Sequence, residues 1–375
     1  MNVAFIVNKR MSLKFFKDIM NVLLEKNYNI FLLFDYTTDR QKGKWREFPS
    51  LDAYQNEDKN IIKKTIFNYN QIVDISKNER INYIISLVTP EEFGIKKSAL
   101  FSKWVLIQQG MDTFYYIKNF KEVDYIFFYS EFWKKKCDEE NLKKYIKNIN
   151  CFGNHQFNNE IKFKRYEILE KFNLKDKKVI LFLPWGPCNL YDFPSKITKF
   201  FAENFFSWPN TDDKFFNFKK FIYNFISKFY LTELNILKKI YDYCKKNDFY
   251  LIIKSRSKRL INERYINHCD RILYDEQILI PTIHELLYIS EAVFTPVSTV
   301  VGESIYFQNK TIVMKNELFK NDDDKCFDFF SKDYFNWEKL CKVKSMKDFD
   351  EQSIESIIDF KFCNDQRQKY LRKFY

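Results

Sequence analysis

Three side chains in the stretch "VFTPVSTVVGESIYFQNKTIVMKN" (Val293 to Asn316) have types and spacing suited to binding chemistry: Ser298, Thr299 and Glu303. Ser298 follows Pro296 at the end of an apolar, strand-like run and stands where the N-cap of the next helix is expected. A helix start there offers unpaired N–H groups and the positive end of its dipole, a setting that suits phosphate. Thr299 precedes Glu303 by four residues, which puts both on one helix face. Glu303 lies between Gly302 and Ser304 in an otherwise apolar helix. A carboxylate buried there needs hydrogen-bond donors or it destabilises the fold. Two ribose hydroxyls would supply them, and Gly302 would allow their close approach. A serine cap with an acid at a helix edge accounts for the same letters without any ligand.

Cations form a second group. In "YLIIKSRSKR" (Tyr250 to Arg259) an apolar strand empties into a basic turn. Ligands of parallel sheets sit beyond the carboxyl ends of the strands, so Lys254 and Arg256, nearest the strand end, are candidates to hold a phosphate. Lys258 and Arg259 fit a solvated turn equally well. In "YDEQILIPTIHELL" (Tyr274 to Leu287) the loop around Ile280 can bond a base edge through its main chain. Thr282 and Glu285 have the spacing of a capping box that would start the next helix. His284, in the first turn of that helix, reads as a packing or capping residue rather than a catalytic one. Gly186, in the turn after "VILFLPW", would let backbone approach a phosphate.

The first half of the chain brings further candidates to strand ends: Lys9 and Arg10 in "NKR", Glu91 and Glu92 in "TPEE", and Asp112 in "QQGMDTF". One carboxylate among Asp112, Glu91 and Glu92 can serve as general base toward an acceptor hydroxyl. Lys9, Arg10 and His155, the last in "GNHQF", are weaker candidates for contact with an acceptor or a phosphate. Each of these is also explained as a solvent-facing or capping residue. G-x-G-x-x-G, P-loop, H-E-x-x-H and G-x-S-x-G patterns are absent from the sequence. With 3 histidines, and 8 cysteines in no C-x-x-C pair, the sequence holds little material for a metal site or a disulfide scaffold. No metal and no cofactor are expected.

Positioning such residues takes strands and helices in alternation, and the sequence has them. Short apolar runs without alternating polarity, "NVAFIVN", "NIFLLF", "INYIISLV", "KWVLIQQG" and "VDYIFFYS", are separated by amphipathic stretches, which implies a parallel sheet covered on both faces. After a charged connector (Lys162 to Lys178) the pattern restarts with "VILFLPW", "FYLIIKSR", "RILYD", "AVFTP" and "TIVMK". The expectation is an N-terminal domain over residues 1–165 and a second over 166–345, the latter interrupted by a Phe- and Lys-rich insertion at about 190–230. A C-terminal helix and basic aromatic tail would occupy residues 346–375.

The composition bounds the function. At 375 residues with 46% hydrophobic and 30% charged, the chain is globular. The charge of +12 favours anionic ligands. Part of it is an overall bias toward Lys, Asn, Ile, Phe and Tyr. No apolar run is long enough to span a membrane, and the N-terminus reads as a first strand rather than a signal peptide. A cytoplasmic protein is expected, with peripheral attachment to the inner face of the membrane a further option.

The ordered residues of the second half, a strand ending in "KSR" and then "DEQILIPTIHELLYISEAVFTPVSTVVGESIYFQNKTIVMK", resemble the nucleotide-binding half of GT-B glycosyltransferases. The pattern is similar to surface and capsular polysaccharide transferases. In architecture these are related to CDP-glycerol glycerophosphotransferases and to bacterial sialyl and Kdo (lipopolysaccharide) transferases. The resemblance implies an α/β chain of two Rossmann-like parallel-sheet domains facing a cleft. A nucleotide-sugar donor, of CMP, CDP or UDP type, would sit on the second domain, and a glycan or lipid-linked glycan acceptor on the first. It also implies Ser298 and Thr299 at the donor phosphate and Glu303 at the ribose. The chain departs from these groups in lacking a His-Pro and in having Gln109-Gly110 where the glycerophosphotransferases carry His-Gly; Asp112 can substitute as base. The alternatives are sugar-nucleotide epimerisation or polyol-phosphate transfer on the same fold and, lower, a non-catalytic basic module binding nucleic acid.

Overall fold

The computed structural model describes residues 1–8, 12–37, 58–110, 122–139, 148–153, 164–184, 233–255, 263–274, 282–315 and 331–375. The chain divides into two compact units, Met1–Glu160 with Arg372–Tyr375, and Ile161–Leu371.

The first unit runs β1 (Asn2–Val7), α1 (Ser12–Glu25), β2 (Asn29–Asp35), β3 (Ile61–Ile66), α2 (Asn70–Asn78), β4 (Tyr83–Ser86), β5 (Lys103–Ile107), β6 (Tyr125–Phe128), α3 (Glu131–Glu139) and β7 (Asn148–Cys151). Its seven strands pair in the order β3-β2-β1-β4-β5-β6-β7, all parallel. The chain therefore builds outward from β1 to β3, then returns to place β4 on the other side of β1. The carboxyl ends of β1 and β4 flank this switch point, where such sheets bind ligands. The central strands are buried almost throughout, as the unbroken apolar runs require. β3 carries no such signal. It is an edge strand, "IIKKTI", with Ile62 and Lys63 exposed. Its lysines suit an edge that must not pair with another chain, and for that reason its letters do not read as a strand.

The last residues of the chain belong to this unit. Phe374 is fully buried beside Phe132 and Trp133. Trp133 Nε1 donates to the Phe374 carbonyl at 2.7 Å and Ser130 Oγ to that of Lys373 at 2.6 Å. The basic aromatic terminus is thus a packed helix end rather than a tail.

The second unit contains α4 (Arg165–Lys171), β8 (Lys178–Phe182), α5 (Glu233–Lys246), β9 (Phe249–Lys254), α6 (Glu263–Ile266), β10 (Arg271–Leu273), α7 (Thr282–Ile289), β11 (Ser290–Pro296), α8 (Val300–Tyr306), β12 (Lys310–Lys315), β13 (Cys341–Ser345), α9 (Met346–Glu351), α10 (Ile354–Ile358) and α11 (Asn364–Phe374), whose final residues fall in the first unit. Its sheet has the order β10-β9-β8-β11-β12-β13, again all parallel. Both sheets share one winding, and β8 and β11 flank the second switch point. Alternate residues of the strands serve two cores. Ile180 and Phe182 of β8 and Phe294 of β11 pack with Leu237, Ile240 and Ile357. Val179, Leu181 and Val293 pack on the opposite face with Ile168, Leu286 and Leu287.

The sequence marks residues 162–178 as a connector, but Ile168, Phe172 and Leu174 from this segment are buried in that second core. Apolar residues at helical spacing make α4 a layer of the unit. β13, "CKVKS", is one edge strand of this sheet and, like β3, is masked in the sequence by its lysines. The aromatic insertion at about 190–230 lies outside the described residues. Among the described residues no helix is long and apolar enough to cross a membrane.

Candidate functional site

Lys254 is the last residue of β9, and Ser298 and Thr299 follow the end of β11. β9 and β11 lie on either side of β8, so these residues leave the carboxyl edge of the sheet around its switch point. Lys254 is buried, and its Nζ donates to the Ser255 carbonyl at 2.8 Å. The Ser255 N–H continues the ladder to the Leu273 carbonyl at 3.0 Å. The ammonium is therefore held at the strand end instead of extending into solvent.

The start of α8 differs from expectation. The cap position belongs to Thr299, whose backbone is already helical (φ −60°, ψ −23°) and whose side chain makes no cap bond. Ser298, one residue earlier, accepts from the Val300 N–H through Oγ at 3.3 Å. A hydroxyl bonding two residues ahead closes a local turn before the helix, so Ser298 shapes the entry without being the formal cap. Both residues are half-buried.

Glu303 is buried within α8, and its carboxylate faces a protein group. His284 of α7, also buried, places Nε2 3.3 Å from Glu303 Oε2. The His284 ring also packs against Phe307 at 5.4 Å between centroids. The packing role read for His284 holds, and the imidazole has a second role beside the acid. The helix expected to start at Thr282 does so. Glu285 turns both carboxylate oxygens to Lys171 Nζ, at 2.9 and 2.8 Å, and so ties α7 to α4.

A buried polar cluster behind α8 was not legible in the sequence. Asn309 Nδ2 donates to the carbonyls of Leu287 at 2.8 Å and Ser290 at 2.6 Å, the junction of α7 and β11. Ser304 Oγ and Thr311 Oγ1 lie 2.8 Å apart, joining α8 to β12. At the far end of α8, Arg367 donates to the Tyr306 carbonyl at 3.0 and 2.5 Å and to that of Ile305 at 3.1 Å. A guanidinium on the last carbonyls of a helix meets the negative end of its dipole. Burial pushes the Arg367 pKa down, though a guanidinium stays charged.

In the first unit Glu91 is exposed and Glu92 half-buried on the turn Pro90–Phe93 that follows β4. The Thr89 N–H donates to Glu92 Oε1 at 3.4 Å, so Glu92 helps cap this turn. Lys9, Arg10, Asp112, His155, Gly186, Arg256 and Ile280 lie outside the described residues.

No protein-family model matches the chain, and no curated protein does. Solved structures do. The chain is similar to a UDP-GlcNAc 2-epimerase from Methanocaldococcus jannaschii, with TM-score 0.54 and 12% identity over 97% of this chain and 94% of that one. It is similar to the wall teichoic acid polymerase TagF soaked with CDPG, with TM-score 0.53 and 12% identity over 100% and 82%. It is also similar to a glycosyltransferase from Rickettsia africae ESF-5, with TM-score 0.50 and 13% identity over 100% and 94%. Identities this low establish the fold alone, and that fold is GT-B: two α/β domains, each built on a fully parallel sheet.

Proposed function

We propose that the chain is an enzyme acting on a nucleotide-activated sugar, and that it transfers the sugar to a hydroxyl of a surface-glycan acceptor. The observation that carries this reading is the convergence of Lys254 and the Ser298–Thr299 turn on the carboxyl edge of the second sheet, with β8 between them. In this reading Lys254, the Thr299 hydroxyl and the first N–H groups of α8 neutralise charge that develops on the leaving phosphate. Preorganised donors stabilise such charge best in a site with little water. Glu303, beside His284, accepts a hydrogen bond from the ribose. Glu91, exposed on the turn after β4, is the described carboxylate best placed to accept a proton from an acceptor, and this step requires no metal. Asp112 and Glu92 are the other candidate bases.

A second reading, epimerisation of the nucleotide sugar itself, is supported by the similarity to a UDP-GlcNAc 2-epimerase; polyol-phosphate transfer is supported in the same way by TagF. All three use the same nucleotide site and differ in what happens to the group it carries. A thermal-shift screen against CMP, CDP, UDP, GDP and their sugar conjugates tests the site, since a ligand of the native state raises its melting temperature. Incubation of the stabilising conjugate without acceptor then separates the reactions: an epimerised product identifies the epimerase. If calorimetry finds the same nucleotide affinity after Ser298→Ala with Thr299→Ala, the donor site is misassigned.

A further inference from the structure

A groove of about 450 Å³ lies between β3, the outermost strand of the first sheet, and α2. That volume falls within the roughly 300–1,000 Å³ of small-molecule sites. β2 stands between β3 and β1, so the groove is two strand spacings, about 10 Å, from the switch point. Gln71, Asp74, Ile75 and Asn78 line it from α2, and their spacing sets them in a row on one helix face. Seven residues of rise make that row about 10 Å long. Lys64 lines it from β3. Its ammonium pairs with Glu79 at the end of α2 and lies 5.7 Å from the centre of the Phe31 ring, so the two walls are tied together. Gln71 is fixed as well. Its Oε1 accepts from the N–H groups of Phe67 at 2.7 Å and Asn68 at 3.3 Å, which leaves both N–H groups of its amide for a ligand. Asp74 and Asn78 are exposed. Phe67, bonded through its backbone to Gln71, is 61% exposed.

The lining selects among ligands. Lys64, already paired, is set against the carboxylates of Asp74 and Glu79, so a phosphate or another anion meets net repulsion there. An apolar ligand would strip water from amides and carboxylates without replacing its hydrogen bonds. A peptide strand would have to pair with β3, whose lysines oppose that. The lining instead suits an uncharged ligand that donates and accepts at several points along a row. Hydroxyls do both: they donate to Asp74 and Glu79, accept from Gln71, and do either with Asn78. The Phe67 ring adds an apolar face for the C–H side of a pyranose. We propose that this groove binds a neutral oligosaccharide segment, longer than one sugar, on the outer edge of the first unit. It is a second glycan site, away from the switch point, and holds the chain of a long acceptor. This deepens the proposed function and rests on it for the source of the glycan.

The test is ligand-observed NMR titration of the full chain with maltohexaose, cellohexaose, laminarihexaose and chitohexaose. Asp74→Ala with Asn78→Ala removes two polar groups from the row. Lys77→Ala, on the same helix but outside the groove, is the control. All three positions are exposed and alanine favours a helix, so both variants should melt with the wild type. The expected result is that at least one oligosaccharide binds the wild type and Lys77→Ala alike. The double variant should bind it about tenfold more weakly or worse, the loss of two hydrogen bonds. The proposal is overturned if none of the four binds the wild type, if the double variant binds as the wild type does, or if Lys77→Ala loses as much as the double variant. Nucleotide affinity, titrated separately, should be the same in all three proteins. Oligosaccharide binding that the double variant loses, in a chain that binds no nucleotide, would sink the donor site and leave the groove standing. Nucleotide binding without oligosaccharide binding would do the reverse.

Discussion

His284 Nε2 and Glu303 Oε2 lie 3.3 Å apart between two helices, α7 and α8, with both side chains more than nine-tenths buried. The two residues are separated in sequence by a strand and two turns, yet the imidazole is set beside the one carboxylate of α8. The two atoms are close neighbours but make no hydrogen bond with each other.

Removing one member of a buried pair leaves the other desolvated. His284→Ala also removes the ring packed on Phe307 and is expected to lower stability by about 2–3 kcal/mol, read as a shift of the urea midpoint at unchanged slope. His284→Gln, which retains a donor, should recover part of that. If Glu303 holds ribose, Glu303→Gln should weaken nucleotide binding more than it weakens the fold. An alanine at 284 that unfolds like the wild type would show that the contact contributes nothing.

Asn309 supports the same region from behind. Its amide nitrogen serves two carbonyls, those of Leu287 and Ser290, where α7 passes into β11. Asn309→Asp keeps the shape and loses both donors, placing a carboxylate against two carbonyl oxygens. The expected cost is about 2–4 kcal/mol, the penalty for buried acceptors left without partners. Asn309→Ala should be milder than Asp, since it adds no charge; the reverse order in denaturant titration would refute this account.

The central strands were legible because a strand buried on both faces must be apolar at every position; "AFIV" in β1 and "VILF" in β8 leave no other reading. The edge strands β3 and β13 were not, because lysines that keep an edge from pairing also erase the apolar signal. The helix α4 hid in a charged connector, where Ile168, Leu169, Phe172 and Leu174 are the residues that pack on the core. At the site, the Lys254, Ser298 and Thr299 positions could be read from strand ends alone. The partner of Glu303 could not, because proximity across two helices is a property of the packing.

Ser345 and Asp348 supply a pH-dependent contact at the start of α9. Asp348 Oδ2 accepts from the Ser345 N–H at 2.7 Å and from its hydroxyl at 2.8 Å, while Ser345 Oγ accepts from the Asp348 N–H at 3.1 Å. Burial alone would raise the Asp348 pKa, but these hydrogen bonds, with Lys344 and Lys347 nearby, hold it below its ordinary value. A carboxyl whose folded pKa is depressed stabilises the fold fully above its unfolded pKa, about 4. That stability is lost as pH falls through the folded value. Asp348→Asn should therefore flatten the acid limb of the melting-temperature profile below about pH 5. Ser345→Ala should cost about 1 kcal/mol at neutral pH. An acid limb unchanged by Asp348→Asn would show that the carboxylate is not the titrating contact.

Arg367 closes the other end of the candidate site's helix. Its guanidinium binds the Ile305 and Tyr306 carbonyls, and its carbon lies 5.5 Å from the centre of the Tyr306 ring. A lysine can bring a charge to this place but neither the planar fork nor the stacking, so Arg367→Lys should not behave as a conservative change. Arg367→Lys is expected to cost about 1 kcal/mol and Arg367→Ala about 2. Because α8 carries Glu303 and begins at Thr299, loosening its far end should also weaken nucleotide binding without touching any group assigned to the nucleotide. Calorimetry at a temperature where both variants remain folded separates the two effects. A weaker affinity with native circular dichroism supports coupling along α8; an unchanged affinity would confine Arg367 to holding the fold.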